Sequence, residues 1–389
     1  MSLFKWTVIG AGPAGIAAVG KLLDHGISPE TIAWIDPHFQ VGDLGRKWSS
    51  VSSNTKVALF LQFLNNCKAF SYESAYFPLH NLDPQTTCLL KYVVEPLQWI
   101  TDHLKNTVTS FHDTAISITP SHSNWEIKTH QETLLSKNVI LAIGAEEKRL
   151  SFPTHEVIPL EIALDAEKLK SAIHINETIG VFGSSHSAIL ILANLIKTHQ
   201  VINFYRTPHH YAIYEADKIL FDNTGLKGYA AEWAKNHLDD KRPPNLTRLL
   251  ISDSAFKESV SLCNKLIYAV GFERRSVQGV GPNYDHQTGI IAPGLFGLGI
   301  AFPQMHYDSL MNVEYRVGLW KFMDYLNTVL PLWINLSKQR FPVERSNKNT
   351  DDAADVCGPI DFFFVDPLTP KIATDDDCDS KNWKNHRML

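Results

Sequence analysis

The apolar and polar positions of this chain repeat one phrase: a short apolar run, a glycine turn, then a helical pattern. The phrase first appears at Thr7 to Val19, TVIGAGPAGIAAV. The run ending at Ile9 predicts a buried strand, and the spacing after Gly15 predicts a helix. A second strand, TIAWID, ends at Asp36. The phrase returns as TIGVFGSSHSAILILANLI, followed by the strand VINFYRTP. Two more apolar runs, NVILAIG and CNKLIYAVGF, each reach a glycine, Gly144 and Gly271. The first of these suits a central parallel strand, and the second mirrors it.

Between these phrases the pattern is less regular. A loop with Gly42 and Gly45 leads into RKWSSVSSNTKVALFLQFL, whose polar residues suit a cap for a helix beginning near Asn54 or Thr55. Cys67 to Cys88 reads as irregular, and Leu89 to Leu104 as a helix kinked at Pro96. VTSFHDTAISI and NWEIKTH are further strand signals, and Tyr229 to His237 a short helix. PGLFGLGIAF supplies a last strand. A helix is expected from Leu310 to Leu326, with Leu310, Val313, Val317, Trp320 and Tyr325 packing in the core. From about Glu344 the chain turns polar, and within it PIDFFFVDPL is expected to pack on the body or on a partner.

The glycines carry the chemistry. Gly10, Gly12 and Gly15, with Pro13 and Ala14 between them, have the GxGxxG spacing. The first permits a tight turn, the second lets a pyrophosphate approach bare backbone, and the third lets helix pack on strand. Asp36 then either takes a ribose hydroxyl or forms a strand-end turn with Pro37. In the second phrase Gly183 holds the first position, Ser185 the second and Ala188 the third, with Ser184 and Ser187 alongside. Arg206, beside Thr207, suits the 2′-phosphate of NADP; the alternative is a surface arginine opening a loop. His186 is read as a helix-start packing residue or as a group facing the cofactor. Asn54 is a cap or a site residue. His209 and His210 lack ligand partners at metal spacing and read as surface loop.

Composition narrows the function classes. The 389 residues allow two domains or one large one, and 44% hydrophobic residues allow a sizeable core. A net charge of −5 with no basic block gives no sign of nucleic acid or an acidic membrane as partner. Five cysteines, Cys67, Cys88, Cys263, Cys357 and Cys378, form no CxxC pair. The first strand begins within ten residues, so no leader is expected. The run Leu326 to Leu336 is broken by Asn327, Pro331 and Asn335. These features predict a soluble cytoplasmic protein.

With these motifs the chain resembles the flavin-containing monooxygenases. The matching islands are GAGPAG at Gly10 to Gly15, SSVSSNTK around Asn54, GSSHSA at Gly183 to Ala188, FYRTP around Arg206 and YAVGF ending at Phe272. The resemblance implies an α/β fold of two Rossmann-like dinucleotide-binding domains, the NADPH domain (158–282) inserted into the FAD domain (1–157 and 283–343), with a polar tail (344–389). It implies FAD at Gly10, Gly12, Pro13, Ala14, Gly15, Asp36 and Trp48. It implies NADPH at Gly183, Ser184, Ser185, Ser187, Arg206 and Thr207, with Asn54 and His186 at the reacting end. By that resemblance, NADPH reduces the flavin, oxygen adds as a C4a-hydroperoxide, and a nitrogen or sulfur centre of a small molecule, an amine or sulfide, takes the distal oxygen. Two features depart from the family: no FxGxxxH segment is found near Leu150 to Pro159, and the tail after Glu344 has no counterpart. Two other readings stay open, a flavin reductase with a non-oxygen acceptor and a non-catalytic nucleotide-binding protein that docks a partner. A homo-oligomer is left open too.

Overall fold

A computed structural model describes residues 3–340, apart from Pro153 and 216–218. Strand β1 (Leu3–Ile9) is followed by helix α1 (Pro13–Asp24) and by strand β2 (Ile32–Ile35), which pairs parallel to β1, Val8 opposite Trp34. Strand Thr133–Leu141 flanks β1 on its other side, also parallel. Thr109–Phe111 extends the sheet beyond β2, and Leu295–Gly297 beyond Thr133–Leu141, both parallel. Both faces are covered, so β2 and the carboxyl-terminal halves of β1 and Thr133–Leu141 are buried. Trp6, Phe296 and Trp333 stack in sequence on one face, at centroid distances of 5.9 and 4.7 Å.

A second parallel sheet is built from Glu156–Val157, Lys265–Tyr268, Thr178–Phe182, Gln200–Tyr205 and Leu246–Leu250, in that order. Its helix, His186–Leu195, has its own apolar core around Ile189, Leu192 and Trp233. The chain leaves the first sheet and returns to it through two short strands, Ala145–Glu147 and Phe272–Arg274, which pair antiparallel with each other.

Several elements differ from the sequence reading. The loop at Gly42 and Gly45 is a one-turn helix, α2 (Gly42–Arg46). Asn54 is not a helix cap. It lies in strand β3 (Ser52–Lys56), and helix α3 (Val57–Asn65) begins after it, with Lys56 at the N-cap and no capping side chain. The reason is that Val57 and Ala58 donate their N–H groups to the carbonyls of Thr86 and Pro84, at 2.9 and 3.0 Å, so the helix start needs no cap. The helix near Pro96 runs Lys91–Thr107.

The helix expected from Leu310 to Leu326 is instead a hairpin and a later helix. Gln304–Tyr307 pairs antiparallel with Val313–Arg316, and the helix spans Leu319–Arg340. The Asp308 carboxylate accepts from the N–H groups of Leu310 and Asn312 and from the Asn312 amide, which fixes a tight turn where a helix would have passed. Leu310 and Val313 are therefore exposed, while Tyr325 is buried. Among the described residues no helix is long and apolar enough to cross a membrane. The tail and PIDFFFVDPL lie outside the described residues.

Candidate functional site

Both glycine turns lie at the carboxyl ends of their parallel sheets, where such folds open a crevice. At the first, Gly10 adopts φ +106°, and a Cβ there would meet the Ala142 carbonyl oxygen at 2.3 Å. A Cβ on Gly15 would come within 1.9 Å of the Gly10 oxygen. Gly12 is different. Its φ of −77° suits any residue, and an added Cβ would have no neighbour nearer than 3.9 Å. The protein itself does not require glycine at position 12; a group laid against that backbone would. Gly12 is the N-cap of α1, Pro13 opens the helix, Ala14 is buried beside it, and no acidic residue occupies the first turn. The free N–H groups and the helix dipole there favour a phosphate.

The turn is braced from β2. Trp34 donates its indole N–H to the Gly10 oxygen at 2.9 Å. Asp36, buried, accepts from the N–H groups of Ala11, His38 and Phe39 at 2.7, 2.8 and 2.7 Å. That is the turn-forming geometry, and it leaves Oδ2 one lone pair for a further donor. Helix α2 crosses close by: a Cβ on Gly42 would lie 2.9 Å from Gly12 Cα. From α2, Asp43 pairs with Arg275, and Lys47 lies 3.7 Å from Glu147 and 3.5 Å from Glu161. Trp48 packs edge-on against Phe272, at 6.1 Å. Sequence reasoning missed Arg275 and Lys47, because their partners are far off in the chain and no motif marks them.

The second turn repeats the plan. Gly183 has φ +123°, and a Cβ would meet the Ala269 oxygen at 2.2 Å. Ser185 is the N-cap, with no cap bond from its side chain, and His186 and Ser187 begin the helix. Ser184 donates to the Thr207 carbonyl at 2.7 Å. Asn203 donates its amide to the carbonyls of Val181 and Gly183, at 3.0 and 2.8 Å. Gly10 and Gly183 each donate an N–H to the neighbouring strand, to Ile35 and Phe204. By that register Tyr205 stands where Asp36 stands, and Arg206, exposed, follows one residue later.

His186 joins the two halves of the site. Its Nε2 lies 3.3 Å from the Ser52 carbonyl on β3, two residues before Asn54. A carbonyl only accepts, so Nε2 carries the proton and Nδ1 is a bare lone pair, buried and unpartnered. Burial holds the His186 pKa below the ordinary histidine value. Asn54 accepts from the Thr55 hydroxyl at 3.2 Å, which leaves its amide N–H groups for other partners. The surface-loop reading holds for His210, exposed and bonded to Thr224, but not for His209, whose side chain is 8% exposed and bonded to Asp239 and Arg248. Among the described residues no cluster fit to hold a metal is found.

Two glycine turns, each ending a strand of its own parallel sheet, define the fold of the two-dinucleotide-binding oxidoreductases. No family model matches the chain. It is 32% identical over 381 residues to the monooxygenase AgnR1 of Paecilomyces divaricatus, covering 84% of this chain and 97% of that one. The chain belongs to the monooxygenase family of AgnR1 and is an oxidoreductase. Among solved structures it resembles the ornithine N-hydroxylase KtzI of Kutzneria sp. 744, with TM-score 0.61, 12% identity, and coverage of 86% of this chain and 99% of that one. It also resembles the bacillithiol disulfide reductase Bdr of Staphylococcus aureus, with TM-score 0.59, 10% identity, and coverage of 86% and 99%. Those two likenesses are of fold, which oxygenase and disulfide reductase share.

Proposed function

We propose that this protein is a cytoplasmic FAD-dependent monooxygenase that uses NADPH and oxygen to oxygenate a nitrogen or sulfur centre of a small molecule. The observation that carries the reading is Gly12, a position that tolerates a side chain within the protein and so answers to a ligand. The KtzI structure is of a complex with reduced FAD, NADP+ and L-ornithine. On this reading Gly10, Gly12, Pro13, Ala14, Gly15, Asp36 and Trp48 hold FAD. Gly183, Ser184, Ser185, Ser187, Arg206 and Thr207 hold NADPH. The FAD unit comprises 1–157 and 283–343, and the NADPH unit 158–282.

Bound flavin supplies hydride acceptance and oxygen activation. The chain's residues supply the rest. Helix N-termini neutralise pyrophosphate, and Asn54, two residues from the Ser52 carbonyl that His186 faces, offers amide donors. Among the described residues the cysteines, Cys67, Cys88 and Cys263, are free and buried, and burial pushes the Cys263 thiol up to about 11, so none of the three is poised to exchange with a disulfide.

The test is an absorbance spectrum of the pure protein, followed by NADPH and oxygen consumption against a panel of amines and sulfides. A colourless protein that takes up no flavin overturns the proposal, as does NADPH oxidation that leaves no oxygen in any product. Asn54→Ala is expected to keep flavin but divert NADPH oxidation to peroxide. An unchanged product-to-peroxide ratio removes Asn54 from the site.

A further inference from the structure

Behind the second glycine turn lies a chain of side chains that the reading above does not use. Asp239, on the turn Lys235–Asp240, lies 3.0 Å from His209 Nε2. His209 Nδ1 lies 3.3 Å from Arg248 Nη1. Arg248, on strand Leu246–Leu250, donates from Nε to Asn203 Oδ1 at 2.9 Å, in register with it on the neighbouring strand. Asn203 in turn donates to the Gly183 carbonyl. The Arg248 guanidinium lies over the Tyr205 ring at 4.5 Å, and its Nη2 is buried without a partner.

The protons are fixed by chemistry. A guanidinium only donates, so His209 Nδ1 must accept, and the single imidazole proton sits on Nε2, facing Asp239. A protonated His209 would set a donor against a donor and a cation against a cation.

We propose that Asp239, His209 and Arg248 form a positioning relay for the second turn, in which neutral His209 holds Arg248 on Asn203 and so presets the Gly183 carbonyl for the nicotinamide nucleotide. The relay rests on the reading that this turn takes NADPH. His209 is faced by Asp239 from the Lys235–Asp240 turn, by Tyr211 and His210 from its own segment, and by Arg248 from the outer strand. Asp240 and Lys235 act on Tyr211, and Arg242 on Arg248. Burial and Arg248 lower the His209 pKa, while Asp239 raises it. The neutral form is therefore held at neutral pH and lost on acidification.

The measurement is NADP+ affinity of the flavin-loaded enzyme, read from flavin absorbance between about pH 4.5 and 8, a range carried to the acid side because the His209 pKa lies below the ordinary histidine value. The nucleotide's own 2′-phosphate also titrates near pH 6. Wild type and variants are therefore compared with the same ligand, so that this contribution cancels. His209→Gln can accept from Arg248 and donate to Asp239, but takes no proton. Acidification is expected to weaken wild type by about threefold to tenfold more than His209→Gln, the worth of one hydrogen bond. Asp239→Asn, at a residue 45% exposed, should shift the wild-type response to lower pH. In both variants the turnover at saturating nucleotide should stay near wild type. Parallel pH curves in wild type and His209→Gln, or an unmoved midpoint in Asp239→Asn, overturn the relay alone. Absence of saturable nucleotide binding at every pH overturns the reading of the turn, and the relay with it.

Discussion

The two glycine turns share a backbone plan and differ in what braces it. In each, the first glycine carbonyl accepts from the side chain two residues before the strand-end position, Trp34 at the first turn and Asn203 at the second. An indole has no further polar atom, so the first brace ends in the apolar core. An amide has a second end, and Asn203 uses its oxygen on Arg248. At the strand-end position, Asp36 ties down three N–H groups at the first turn, while Tyr205 lies under a guanidinium at the second. The first turn is thus locked by packing and one buried carboxylate. The second hangs on a polar network whose charge state can change. A retained cofactor suits the former and an exchanging one the latter.

The steric contrast gives the largest expected effect. Gly15→Ala places a methyl group 1.9 Å from the Gly10 oxygen, a backbone atom that no rotamer change can move away. Overpacking of this kind should cost about 3 kcal/mol or more. The same helix position in the second turn is already Ala188, so Ala188→Gly should cost only about 1–2 kcal/mol, the helix-propensity difference plus one buried methyl. Urea melts of the two variants check this; equal losses would mean that the turns are not built to one plan. Gly12→Val should come next. Its Cβ finds no clash within the protein, so the flavin-free variant should melt within about 1 kcal/mol of flavin-free wild type, the cost of a poorer N-cap, while it takes up no flavin. A yellow Gly12→Val protein breaks the assignment of the first turn.

How much of this was legible in the sequence follows the same divide. Both turns, the sheets that carry them and the glycines that close Thr133–Leu141 and Lys265–Tyr268 could be read, because strand, turn and helix signals are local. Of the two readings of Asn54, the cap fails because the carbonyls that accept from the start of α3, those of Thr86 and Pro84, come from a distant segment. The helix expected from Leu310 fails over its first part because the apolar residues there fit both periods, and the Asp308 turn makes Val313–Arg316 a hairpin strand. Arg248 and Asp239 carried no signal, since they matter only through His209 and Asn203, and those contacts are long-range. Local chemistry marked the two glycine turns. What tunes the second site is tertiary.

The smallest effect sharpens the contrast at the strand ends. Where the first turn has Asp36, an acceptor, the second has Tyr205 followed by exposed Arg206. An acceptor suits a free ribose hydroxyl, and a guanidinium suits a phosphate. Arg206→Ala should therefore raise the Michaelis constant for NADPH by about tenfold, roughly 1.4 kcal/mol, the scale of a charge-assisted bond near a surface. The constant for NADH, which lacks the phosphate, should move little. Because Arg206 is exposed, added salt should weaken NADPH binding in wild type and much less in the variant. If Arg206→Ala leaves the NADPH preference intact, Arg206 does not read the phosphate, and the strand-end contrast with Asp36 is broken.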